Sequence, residues 1–328
     1  MQRDAKGRFV SSKKETVYAK GFKGFDREMR CMDKQYAENA VFEEPKADLC
    51  VCGMHFCENP VDVLRYYSLL DRCADPAPIA RVESLAEPIK GDGKSVTTKL
   101  RIGNKLSLGE YGLEAINSMA SDDNKNSNTV FEEDAQQHAR AYQTGDHRGQ
   151  AQAGDEAFQI QSGVECRQAQ SGYLITQMQL ECYCVQAQAG DCTQQVQTAE
   201  RCFQAQAGGA ARQCQLGDCS LQTQSGRGCA QTQYGVNSRQ ASVGDSCSAA
   251  AYSEDSLVAA LGRYSKVKGA LGCLLILVDY KRSDVYPYYA PYKVLWAVVD
   301  GVKIKADTWY TVVNGELAEC TFPTEEKE

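Results

Sequence analysis

Glycine recurs at positions 145, 154, 163, 172, 190, 208, 217, 226, 235, 244 and 262, all on one nine-residue grid. A fixed short period restricts a chain to stacked architectures, in which each repeat buries itself against the next. The local motif is Gln-x-Gln-x-Gly, as in Gln150-Ala151-Gln152-Ala153-Gly154. Alternate grid positions differ. The set 154, 172, 190, 208, 226, 244 and 262 is all glycine, whereas the other set includes Glu181, Ala199, Ser253 and Leu271. Three residues before each position, the first set carries Ala151, Ala169, Ala187 and Ala205, and the second carries Tyr142, Ile160, Met178 and Val196. The structural period is therefore 18, with two strands per coil. The expected fold class is mainly β: a β-solenoid of 18-residue coils (paired nonapeptides), preceded by a small α+β head domain and followed by a short antiparallel β cap.

Strand side chains alternate between faces, so Gln-Ala-Gln sends both glutamines one way and alanine the other. Small residues on one strand and Ile, Met or Val on its partner would fill an interior evenly. On that argument Ala151, Ala169, Ala187 and Ala205 point inward and the glutamines form outward rows. The opposite sense puts glutamine ladders inside, where every amide needs a partner. Coils about 4.8 Å apart make seven of them roughly 34 Å long. Cysteines share the period: Cys166, Cys184 and Cys202 form one column, and Cys229 and Cys247 another. They read as small buried corner residues, interchangeable with Ser220, Ser238 and Ala157. A calcium-binding roll would need repeated Gly-Gly-x-Gly-x-Asp turns, which are missing despite Asp146, Asp155, Asp191, Asp218 and Asp245. An ice-binding plane is weakly matched too, since the rows are glutamine rather than threonine.

Composition marks the boundaries. No proline lies between Pro88 and Pro287, and no lysine between Lys125 and Lys266. The expected organisation is a basic flexible leader at 1–15, a head at 16–120, a polar linker at 121–134, the Gln-rich solenoid at 135–270 and the cap at 271–328. Net charge is −7, which disfavours general nucleic-acid binding. No apolar run approaches the ~20 residues that span a bilayer, and no apolar signal segment opens the sequence, so no membrane association or export is expected. Sixteen cysteines without such a signal are read as reduced thiols in a cytosol.

In the head, Asn59-Pro60-Val61-Asp62 offers an N-cap, a proline at N1 and an acidic first turn, predicting a helix through Leu64, Tyr67 and Leu70. Ser107-Leu108-Gly109-Glu110 reads as a capping box opening a second helix through Ile116 and Met119. Strands are expected at 16–22, 54–57, 79–83 and 95–102. In the tail, 274–278 reads as a buried strand, and Asp300-Gly301 and Asn314-Gly315 as hairpin turns. The cap would cover the last coil's open edge. Because each coil touches only its neighbours, removal of residues 1–120 is expected to leave the solenoid folded.

Lys20-Gly21-Phe22-Lys23-Gly24-Phe25-Asp26, Cys50, Gly53-Met54-His55-Phe56-Cys57-Glu58-Asn59-Pro60 and Tyr66-Tyr67 resemble an uncharacterised N-terminal domain of phage and prophage proteins. In that family nonapeptide repeats and a C-terminal β cap follow, and the cap resemblance lies in Gly269–Gly272, Val299–Lys305 and Asp307–Tyr310. The repeats depart from it, being rich in Gln and Cys rather than Ser, Ala, Thr and Asn. The resemblance implies a mobile-element origin and no settled activity. The order Lys20-Gly21, Gly53-Met54-His55-Phe56, helix, Ala80-Arg81-Val82-Glu83 is loosely similar to mono-ADP-ribosyltransferases, although no catalytic glutamate can be placed.

Two groups of candidate site residues follow. Tyr286, Tyr288, Tyr289 and Tyr292, stiffened by Pro287 and Pro291, suit an interface, because tyrosines join apolar area to a polar tip. Cys31, Cys50, His55 and Cys57 are metal-capable types, although Cys50-x-Cys52 is tighter than a zinc knuckle. Core cysteines with a hydrogen-bonded histidine are the plainer reading, and no cofactor is expected. The functional expectation is a non-enzymatic binding protein of a phage or mobile element in the bacterial host cytoplasm. Its partner would be a host protein or nucleoprotein complex, with inhibition of a host defence system as the concrete form and self-association through the cap as an addition. The alternatives are an ADP-ribosyltransferase-like head enzyme and a virion structural or adhesion component.

Overall fold

The computed structural model of the protein describes residues 15–122, 140–153 and 155–321. The expected leader, apart from Glu15, and all but the first two residues of the expected linker lie outside the described residues. The chain divides into two compact units. One comprises the residues up to Tyr67 together with Ala77–Ser107; the other comprises Ser68–Pro76 and everything from Leu108 onward.

From Arg140 the second unit is a β-solenoid with two parallel sheets. In one, Arg140–Thr144 pairs with Phe158–Ser162, and so on at steps of 18 residues to Lys266–Gly269. In the other, Gly149–Ala153 pairs with Arg167–Ser171, and so on to Leu257–Ala260. The expected 18-residue coil is thus the observed one. The last step, Leu257 to Leu274, is one residue shorter. Both sheets then turn antiparallel. Tyr289–Val298 pairs with Leu274–Arg282 in one, and Trp309–Val313 and its partner Glu316–Cys320 finish the other.

The facing sense is the reverse of the expectation from volume. Glutamines point inward from both sheets: Gln168, Gln186 and Gln204 from one, and Gln159, Gln177 and Gln195 from the other, are all buried. Ala169 and Ala187 are exposed and Ala205 is half-buried, while the side chain of Ala151 lies outside those described. The amides answer the burial cost by pairing along the coil axis. Gln186 Nε2 donates to Gln168 Oε1 at 2.9 Å, Gln204 to Gln186 at 2.9 Å and Gln222 to Gln204 at 2.8 Å. Parallel ladders run through Gln177–Gln195–Gln213–Gln231, Gln179–Gln197–Gln215 and Gln188–Gln206–Gln224. An amide offers both donor and acceptor, so identical residues one coil apart satisfy each other at the strand spacing.

The small-versus-large asymmetry has another cause. Ile160, Met178 and Val196 face out of their sheet yet are fully buried, because the chain covers that face. The helix Leu108–Asp122 lies against it: a Cβ on Gly112 would come within 2.7 Å of Met178 Sδ and 3.2 Å of Ile160 Cδ1. The segment 68–76 continues the cover as a strap. Leu70 N–H donates to Gln194 Oε1 (2.8 Å), and Arg212 donates to the Leu70 carbonyl (2.8 Å). Thr232 Oγ1 donates to the Cys73 carbonyl (2.7 Å), and the Tyr234 and Tyr252 hydroxyls bind the Asp75 carboxylate. We call this the strapped sheet and the other the open sheet.

Corners repeat as strictly as strands. A Cβ on Gly190 would lie 1.7 Å from the Gly172 carbonyl oxygen, and one on Gly208 would lie 1.9 Å from that of Gly190, which explains the grid. Asp191 Oδ1 accepts the N–H of Gly209 one coil on, and Asp218 and Asp245 do the same for Val236 and Arg263. Cys184 Sγ accepts the Cys166 N–H and Cys202 Sγ that of Cys184, then Ser220 and Ser238 hydroxyls take over the column. All sixteen cysteines are free thiols.

The first unit is richer in β structure than the expected α+β head. Ala19–Gly24, Ile79–Ser84, Lys99–Lys105 and Val41–Glu43 form an antiparallel sheet, in that order. Met54–Phe56, Ser95–Thr97 and Ile89–Lys90 form a second. Asn59 caps as expected, its Oδ1 accepting the Val61 N–H at 2.9 Å, but it opens only a 3₁₀ turn over Pro60–Arg65. The helix does not reach Leu70, because Leu69 and Leu70 are buried and the chain there belongs to the strap. The second helix forms as expected but packs on the solenoid. Asn314-Gly315, both at positive φ, turns the final hairpin. Asp300 instead caps its loop, with Oδ1 accepting the N–H groups of Val302, Lys303 and Ile304.

Gln204→Ala should cost about 2 kcal/mol or more, since it strands the amides of Gln186 and Gln222 around a cavity. The exposed Ala187→Gln should stay within about 0.5 kcal/mol. Urea unfolding of the two variants checks this, and equal costs would contradict inward ladders. Deleting residues 1–120 removes the strap and nearly all of the covering helix, and lays Ile160, Met178 and Val196 bare. The truncated protein should therefore aggregate or unfold at a lower temperature than the full chain, read by light scattering during a thermal ramp.

Candidate functional site

Two places in the molecule hold side chains whose arrangement the fold alone does not require. The first is the outer face of the open sheet. Its central column runs Ala169, Ala187, Ala205, Thr223, Ala241, Ala259 and then Ile276 and Trp296. These small residues floor a shallow trough of about 890 Å³, bordered by Ala189, Ala207 and Val243. Larger residues, Val185 and Leu221, stand exposed on the same face. Where the coils end, the edge strand Tyr289–Val298 places Val294, Trp296 and Val298 on this side, because alternate residues share a face, and Tyr292 stands at the bulge that interrupts the alternation. All four are exposed, Trp296 by 68% and Tyr292 by 59%.

Tyr286, Tyr288, Tyr289 and Tyr292 stand in the adjoining loop and the start of that strand, and none is buried. Tyr286 and Tyr288 meet edge to face with centroids 6.2 Å apart. The Arg263 guanidinium lies 4.4 Å from the Tyr289 centroid, and Lys281 Nζ lies 3.4 Å from that of Tyr292. The tyrosine cluster was readable in sequence. Trp296 was not singled out, although the alternation Val294-Trp296-Val298 on a strand that pairs on one side was the available signal.

The second place is a cavity of about 870 Å³ within the head unit. It brings together Cys31, Cys50, His55 and Cys57, but not as a ligand set. Cys31 Sγ lies 2.7 Å from the Tyr67 hydroxyl and accepts from Lys23 Nζ at 3.2 Å. His55 Nε2 accepts the Cys50 backbone N–H at 3.1 Å. Among the described residues no group of three or more His, Cys, Asp or Glu side chains converges as a metal ion would require. Burial, reinforced by Asp62, pushes the Cys57 thiol up to about 12. Burial and then the charges of Lys94 and Lys23 hold the His55 imidazole below its ordinary value.

Sequence reasoning missed the cavity's principal cation. Lys23 is only 3% exposed. Its ammonium donates to the His55 carbonyl at 3.1 Å and lies 5.3–6.0 Å from the ring centroids of Phe25, Tyr36 and Tyr67. No carboxylate partners it among the described residues. The alternation of the Ala19–Gly24 strand fails to flag it, since Gly21 to Gly24 is buried throughout.

Residues 19–114 match the family described as a domain of unknown function, DUF7666. The match covers the head and the first turns of the covering helix, and none of the solenoid. No curated protein and no solved structure matches the chain. Among the described residues no helix is long and apolar enough to cross a membrane.

A thiol reagent at mildly alkaline pH should modify the exposed Cys50 and Cys219 first. Buried Cys57, whose thiolate is disfavoured, should stay unmodified until the protein unfolds. Peptide mass mapping over time gives the order, and early labelling of Cys57 would contradict the geometry.

Proposed function

We propose that this chain is a non-enzymatic binding protein whose docking surface is the open sheet of the solenoid, with its edge strand Tyr289–Val298. One contrast carries the reading. The strapped sheet presents an apolar outer face that the chain itself covers with a helix and a strap. The outer face of the open sheet is apolar too, and Leu221, Val294 and Trp296 stand in solvent on it. Monomers seldom expose contiguous apolar patches beyond a few hundred Å² unless a partner uses them. The occupant that fits is an extended segment of a protein partner. It would pair with the free side of the edge strand and lay alternate apolar side chains across Ile276, Trp296 and the trough. Trp and Tyr are the usual energetic centres of such contacts.

The finer form of this reading comes from the resemblance to phage and prophage domains. It makes the partner a host protein or nucleoprotein complex in a bacterial cytoplasm, and inhibition of a defence system the consequence. The amide ladders support the role by making the surface stiff, so that little ordering cost falls on the solenoid when it binds.

Capture from host lysate with the wild-type protein as bait should yield one stoichiometric partner. That partner should protect Tyr289–Val298 from amide exchange. Trp296→Glu should weaken capture by at least about 30-fold, equivalent to about 2 kcal/mol, and Tyr288→Ala with Tyr289→Ala should weaken it as well, all without loss of β-sheet circular dichroism. Equal capture by these variants would overturn the reading. Protection of the same strand in the isolated protein at rising concentration would assign the surface to a second copy instead.

A further inference from the structure

The head cavity has a charge pattern that the docking reading leaves unused. Three lysines line it: Lys23, Lys34 and Lys94. They are opposed by Glu44 and by Asp33, whose side chain stands at the exposed rim. Lys34 is compensated, since its ammonium pairs with the Glu44 carboxylate. The other two are not. Lys23 rests on a thiol sulfur, one carbonyl and three ring faces. Lys94 lies 4.7 Å from the Tyr66 ring centroid, and its ammonium donates to the Cys50 side chain.

Ring faces, sulfur and a carbonyl solvate an ammonium only partly, and a buried charge without a counter-charge is costly. Natural chains retain such a cation where an anion completes it. The same strand could have carried an apolar residue here, since its neighbours Phe22 and Phe25 are core. The cavity's size is that of a small-molecule site rather than of a bare ion. Compact ammonium groups, as opposed to planar guanidinium forks, serve as point charges for phosphate.

We infer that the head cavity binds a phosphate-bearing small molecule, with the ammonium groups of Lys23 and Lys94 taking its anionic group. Lys23 supplies the deep contact and Lys94 the contact nearer the mouth. The Tyr36, Tyr66 and Tyr67 rings hold the two ammonium groups in place. The inference concerns binding alone and stands independently of the open sheet, whose failure as a docking surface would not touch it.

Isothermal titration calorimetry on the full chain tests it, with inorganic pyrophosphate and then ADP as probes at constant ionic strength. Saturable binding is expected for at least one probe. Lys23→Met and Lys94→Met should each weaken it by tenfold or more, and Lys90→Met, whose partner is Glu58 and which lies outside the cavity lining, should leave it unchanged. Lys94 is only half-buried, so its replacement keeps the test valid if Lys23→Met impairs folding. Heats no larger than those of matched sodium chloride for both probes would overturn the inference. So would saturable binding that survives in Lys94→Met and in the folded Lys23→Met protein.

Discussion

The axial hydrogen bond between glutamine side chains one coil apart is the constraint on which the solenoid depends. Gln186 and Gln204 each donate to the residue 18 positions earlier and accept from the one 18 positions later. A slip of one residue would turn every glutamine outward and every alanine inward, because the strand period is two. A slip of two residues would keep the facing sense but take glycine out of the corners, where carbonyls stack too closely for any Cβ. Ladder and corner therefore select the same register. The directionality is uniform, with donors aimed toward the N-terminal end in every column. Such a chain of aligned dipoles strengthens each member.

A polar interior of this kind holds only while the column continues. Past Gln231 and Gln224 the inward positions become Ala249 and Ser242, and then Val258, Val267, Leu275 and Leu277. These last residues, with Ala249, Ala251, Cys273, Val299 and Tyr310, form a dry cluster that closes the stack. The exchange from amides to aliphatic groups lets the coil shorten by one residue and the sheets turn antiparallel. A ladder could not tolerate either change, whereas an apolar core asks only for volume.

The period, the paired nonapeptides and the buried cysteine columns were legible because each is a statement about spacing. Spacing carries over directly into stacking. The facing sense was not legible, because Gln-Ala-Gln alternates identically whichever way it points. The contrast between Ala169 and Ile160 was real, but it reports which outer face the chain covers and says nothing about the lumen. Reading it correctly required the strap, and Leu69, Leu70 and Asp75 carry no local signal that they lie against coils more than 100 residues away. The head cavity was half legible. Cys31, Cys50, His55 and Cys57 do share it, but Lys23 and Lys94 come from distant parts of the sequence, and only the fold brings their charges to one space. The tyrosine cluster was visible as a local run, while its continuation through Trp296 needed the knowledge that the strand lies at an edge.

Regularity also determines where recognition can reside. Along the ladder, each coil offers nearly the same outer surface as the next, so a partner gripping only that trough could shift by one coil at little cost. A unique register needs side chains that occur once. The open sheet supplies them where its repeat ends: Ile276 and Trp296 continue the column of Ala241 and Ala259, and Val278 and Val294 pair beside them. The interior change from amide to aliphatic residues is what frees the last strands from the nonapeptide pattern. The irregular cap can therefore carry specificity, while the ladder behind it supplies a stiff, extended support.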